Sequence, residues 1–235
     1  MRIDRRAVPD VLLMSALEAV PEELGRKTKL AENGLAFGIE ELAEMLLAYA
    51  AARTVEIDPR FETRETWLAL TSAASLYRDY VRALTVPAGG VARAFVDYLG
   101  VGFGFYQEAD EVLRTSDWIR AYQLALVTGK DDVLNDLRLL VASLPADDDL
   151  DGFRAFWGRQ PAEAYPDSLQ GRMLRAIAEG DAVAFNAALA AALERHRERA
   201  ERPRDLIAWG PLAMATLAHD AGIRIEVESG YLPER

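Results

Sequence analysis

Between Leu206 and Ala218 the chain reads LIAWGPLAMATLA, an apolar run interrupted only by Gly210, Pro211 and Thr216. A helix on a protein surface shows an apolar stripe, whereas a helix apolar on every side must be covered on every side. This run therefore requires a fold with enough other elements to surround one central helix. Pro211 fits the first turn, where a missing N–H costs little. His219 in the last turn and Gly222 just beyond it are C-terminal signals. The period then changes to two: Ile223, Ile225 and Val227 alternate with Arg224, Glu226 and Glu228, which predicts a half-buried strand. Ser229-Gly230 turns the chain before Tyr231-Leu232-Pro233.

The rest of the 235 residues can supply that cover. A short apolar helix is predicted over Val11–Val20, stopped by Pro21, with a polar loop over Glu22–Asn33. Leu35, Ile39, Leu42, Met45, Leu46 and Tyr49 keep helical spacing to Arg53. Val55 and Ile57 alternate with Glu56 and Asp58, so Thr54–Asp58 is the expected partner of the strand at Ile223–Val227, because a lone strand leaves backbone groups unpaired. Thr63-x-x-Thr66 opens a helix to about Leu84. Pro87–Gly90 breaks the chain, Val91–Leu99 reads as helical, and the glycines at 100, 102 and 104 read as a flexible break. Two helical hairpins follow, Trp118–Thr128 with Asp131–Leu144 and Met173–Glu179 with Asp181–Glu201. They turn at Gly129 and Gly180 and share a register of alanine, glycine, a large apolar residue (Leu134 or Phe185) and asparagine (Asn135 or Asn186). Pro145–Gln170 is the least structured stretch and the place for a subdomain break. The expected fold is mostly α, with stacked antiparallel helical hairpins and at most a small two-stranded β ribbon near the C-terminus, in a single helical domain over residues 1–235.

Charge and composition exclude several functions. There are 27 Lys and Arg against 38 Asp and Glu, a net charge of −11. Nucleic-acid binding wants the opposite balance, and the glutamates inside Arg195–Arg204 make that locally basic stretch a salt-bridged face. With no cysteine there is no thiolate ligand or nucleophile. The N-terminus lacks the apolar core of a signal peptide, and no apolar run could span a bilayer, so a cytoplasmic location is expected. The aspartates Asp147, Asp148, Asp149 and Asp151 could hold Mg²⁺, but no second carboxylate motif accompanies them. A solvated loop and helix N-cap is the plainer reading. His196 and His219 are far apart in sequence, and His219 and Asp220 diverge by about a hundred degrees on a helix. No metal site, cofactor or catalytic residue is expected.

The C-terminal segment also carries a resemblance. Leu206, Ala208, Pro211, Leu212, Ala213, Ala215, Leu217, Ala218, Asp220, Gly222, Ile223, Val227, Glu228, Ser229, Tyr231, Leu232 and Pro233 form a pattern that resembles the C-terminus of the immunity protein 49 family of bacterial polymorphic-toxin loci. With Trp209, the residues Pro211, Leu212, Gly222, Ser229, Tyr231, Leu232 and Pro233 are its expected structural motif. The resemblance implies a protein that binds and neutralises a cognate toxin without turnover. On that reading two acidic clusters become candidates for meeting a basic toxin surface: Glu40, Glu41 and Glu44 on one helix, and Asp147, Asp148 and Asp149. Glu108, Asp110, Glu111 and Asp117 form a further acidic stretch. The competing expectations are a helical-repeat scaffold for another protein and a metal-dependent enzyme using the aspartate run.

Overall fold

The computed structural model describes residues 1–31, 37–87, 89–106, 113–141 and 144–233. Helices dominate, as the sequence predicts. In chain order they are α1 (Asp10–Ala31), α2 (Phe37–Glu56), α3 (Arg64–Ala83), α4 (Thr115–Thr128), α5 (Asp131–Leu140), α6 (Asp148–Trp157), α7 (Leu169–Glu179), α8 (Ala182–Arg199) and α9 (Trp209–Asp220). The strands are β1 (Arg2–Ile3), β2 (Val91–Val96), β3 (Val101–Tyr106) and β4 (Glu228–Ser229). α1, α2, α3, α4 and α9 pack in sequence, each on the next, and the α7–α8 hairpin closes over α9.

Local signals account for most boundaries. Thr63 caps α3, its hydroxyl accepting from the Thr66 amide. Gly129 and Gly180 take the left-handed conformation at φ 64° and 70°, and in each the next amide reaches back to an alanine carbonyl, Lys130 to Ala125 at 3.1 Å and Asp181 to Ala176 at 2.9 Å. The two hairpins thus share their turn geometry as well as their register.

Five expectations are corrected. α1 runs through Pro21, so Val11–Val20 is only its first part and Glu22–Asn33 is helical as far as Ala31; residues 32–36, including Leu35, lie outside the described residues. Buried Leu24 and Thr28 continue the face that packs on α2, which offsets the single backbone bond that proline removes. Thr54–Asp58 is not a strand: Thr54–Glu56 ends α2, the Thr54 hydroxyl donates back to the Ala51 carbonyl, and Ile57 is exposed. The partner of the C-terminal segment is β1, which pairs with β4 in parallel register, Arg2 with Glu228 and Ile3 with Ser229. Val91–Leu99 is not a helix, and Gly100–Gly104 is not a break, because β2 and β3 form an antiparallel hairpin from Val91 and Tyr106 to Val96 and Val101. A side chain at position 102 would meet the Phe95 ring at 3.1 Å, so this strand needs its glycine for close approach.

The fifth correction concerns Pro145–Gln170, which contains α6 and a 3₁₀ turn at Ala162–Ala164. Phe153 and Trp157 of α6 pack on Trp118 and Tyr122 of α4 with ring centroids 5.0–6.3 Å apart. Trp118 donates to the Leu137 carbonyl of α5 at 2.8 Å, and Trp157 donates to the Tyr122 hydroxyl at 3.1 Å.

Candidate partner-binding surfaces

The first acidic cluster lies at the start of α2, and its three carboxylates have three different surroundings. Glu44 faces inward. It accepts from the buried Tyr77 hydroxyl of α3 and pairs with Arg204, ahead of α9, and with Arg120 of α4 at 3.5 Å. Burial and then the Glu44 charge push the Tyr77 hydroxyl far above its ordinary value. Burial works to lower Arg204, but Glu44 more than offsets it and holds the guanidinium above its usual range. Glu40 is half-buried beside Tyr80, Asp117 and Arg114. Burial raises its carboxyl, the Asp117 charge adds to the rise, and Arg114 pulls against it. Burial and the same two carboxylates push Tyr80 up to about 12. Glu41 is exposed and meets Lys27 of α1 at 2.7 Å.

The second cluster opens α6. Asp147 is its N-cap, accepting from the Asp149 and Leu150 amides at 3.0 and 3.3 Å. Asp149 is half-buried and accepts from the Ser168 hydroxyl at 2.9 Å, while that hydroxyl in turn caps α7 by accepting from the Gly171 amide. The cluster thus ties two helix starts together. Asp147 and Asp148 are both exposed, and of the two Asp147 is the one engaged in capping. Of the further acidic stretch, Glu108, Asp110 and Glu111 lie outside the described residues, and Asp117 is buried in a two-point contact with Arg114 at 3.1 Å.

The C-terminal segment forms a third region, which spacing alone did not mark as a surface. Pro211 falls in the first turn of α9, and Trp209 is buried. Gly222 ends the helix at φ +79°, with Ile223 donating to the Ala218 carbonyl at 2.8 Å. The strand expected at Ile223–Val227 falls instead at Glu228–Ser229, where β1 offers a partner, and residues 223–227 are extended without pairing to a strand; their alternation holds, with Ile223, Ile225 and Val227 buried and Arg224 and Glu226 exposed. Asn186 of α8 clamps them, donating to the Arg224 carbonyl at 2.9 Å and accepting from the Glu226 amide at 2.7 Å. Tyr231 is fully buried against His196, and its hydroxyl accepts from the Arg6 amide at 2.8 Å. Ser229 accepts from the Tyr231 amide. α9 is not covered all round, however. Leu212 and Thr216 are only half-buried, and with Ala215 and His219 they form one wall of an open groove of about 1060 Å³. Residues 224–230, Leu232 and Pro233 form much of the rest.

Among the described residues, no three His, Asp or Glu side chains converge as metal ligands would. His219 and Asp220 do approach to 3.6 Å, but on the exposed end of α9. No described helix is long and apolar enough to cross a membrane.

These features define a mostly α protein whose last α7–β4 portion wraps a central helix and ties the C-terminal segment to β1. That portion coincides with the stretch that known proteins share: residues 165–235 match the model of the family described as Immunity protein 49, under a third of the chain. No curated protein and no solved structure matches the chain.

Proposed function

We propose that this protein is a cytoplasmic immunity protein, which binds the toxin encoded beside it and blocks it stoichiometrically, without turnover. The observation that carries the reading is the family match over residues 165–235. The net charge of −11 supports it, because a surplus of carboxylates steers a basic partner and speeds encounter. Glu41 and Asp148 are the members of the two acidic clusters best placed to steer, being exposed and, unlike Asp147, not engaged in capping a helix. Glu40, Asp147 and Asp149 act at the margin of such contacts, while Glu44 shapes the surface from beneath. The test is growth of cells expressing the neighbouring gene's product with and without this protein. Rescue together with a one-to-one complex of the purified proteins is the expected result. Equal death in both cultures and no complex would rule the reading out.

A further inference from the structure

The backbone of the C-terminal segment has one edge in use and one open. In an extended chain, alternate residues direct their N–H and C=O to the same edge. The Arg224 carbonyl and Glu226 amide meet Asn186, the Glu228 amide meets the Met1 carbonyl, and the Gly230 amide meets the Ile3 carbonyl. Those even-numbered positions define the used edge. Ile225 and Val227 direct their groups the other way. Among the described residues nothing donates to or accepts from the backbone of either one, and both line the groove beside α9. Ser229 closes that edge locally, its carbonyl accepting from the Leu232 amide at 3.2 Å.

We propose that this groove receives an extended segment of the toxin, which adds to the chain as a strand along Ile225–Val227. The proposal rests on the immunity reading above and names the mode of contact. A groove that combines open backbone donors and acceptors with an apolar wall selects an extended peptide. Leu212 and Ala215 offer the apolar wall, so alternate side chains of the incoming strand are apolar. The exposed Glu226 and Glu228 have no ion-pair partner among the described residues, so the intervening side chains are basic. A second copy of this chain fits poorly, because the same strand would set its own glutamates against them. The alternating charges Arg224, Glu226 and Glu228 also deter indiscriminate pairing at an open edge.

Hydrogen exchange on the full-length protein tests the proposal, with two probes: the purified toxin from the neighbouring gene, and a synthetic peptide alternating lysine and valine. The expected result is that toxin slows the Ile225 and Val227 amides by roughly tenfold or more, as newly hydrogen-bonded amides do. Thr216→Arg, which fills the groove, and the double change Glu226→Lys with Glu228→Lys should each weaken toxin binding by about tenfold or more with melting unchanged. A toxin complex that leaves both amides fast overturns the proposal while the immunity reading stands. Protection by the peptide without any toxin binding keeps the edge and removes the immunity reading. Protection by neither probe overturns the proposal, as does concentration-dependent protection in the protein alone, which would make a second copy the occupant.

Discussion

The two acidic clusters look alike in sequence, three carboxylates within five residues, yet they differ in what they hold. Glu44 sits where α2, α3, α4 and the entry to α9 meet, and its charge is matched by two arginines and a buried tyrosine. The Asp147–Asp149 group works mainly through backbone amides, capping one helix and steadying the cap of the next. The first is a junction between elements and the second a fastening at their ends. Removing the junction carboxylate leaves the buried Tyr77 hydroxyl and two partly exposed arginines without their shared acceptor, whereas removing a cap exposes amides that water can serve.

The largest effect is therefore expected from Glu44→Ala, which should cost about 2–4 kcal/mol in a urea melt by leaving Tyr77, Arg204 and Arg120 without their acceptor. A loss below about 0.5 kcal/mol, as ordinary surface changes give, would erase the distinction between the clusters. Asp147→Ala should cost about 1 kcal/mol, the usual worth of an N-cap, while Asp147→Asn should retain most of it; equal losses in both would point to charge rather than capping. Glu40 should behave in the opposite sense. Its folded carboxyl lies above its ordinary value, so its contribution favours folding at low pH and is lost as pH rises through the folded value. Glu40→Gln should thus be neutral to stabilising at pH 7, with the difference from the parent vanishing below about pH 4; urea midpoints across that range decide it. The smallest effects belong to Glu41→Gln and Asp148→Asn, within about 0.5 kcal/mol of the parent. If these residues steer a toxin, both changes slow its association at low salt and leave dissociation alone, which stopped-flow mixing would resolve.

The difference between the clusters was not written in the spacing of their carboxylates. The helical face carrying Ile39, Leu42 and Leu46 was readable, but which side Glu44 took depended on Tyr77, Arg120 and Arg204, distant in sequence. Legibility followed the same rule elsewhere. α9, its stop at Gly222, the caps at Thr63 and Asp147 and both hairpin turns are set by residues within one turn of each other, and they were expected. The β2–β3 hairpin was hidden because Gly102 and Gly104 read as a break until Phe95 is seen lying over Gly102. β1 was hidden because two residues have no detectable period, and Val55 and Ile57 offered a better-looking partner that α2 absorbed into its end. The groove was missed for a related reason: the apolar run of α9 predicted cover on every side, and only the packed neighbours reveal the strip from Leu212 to Thr216 that they leave open.

The pairing of β1 with β4 sets a timetable for synthesis. Arg2 and Ile3 are made more than two hundred residues before their partners Glu228 and Ser229, and Arg6 is made equally far ahead of Tyr231. The helices between them can form from nearer contacts while translation proceeds, but β1 has no strand partner until Glu228 and Ser229 have been made. Contacts of such long sequence separation form slowly because the loop must close before they repay its entropy. If the protein neutralises a toxin as proposed, protection begins only once that pairing is in place, and the delay between translation and closure is an interval in which the toxin goes unopposed.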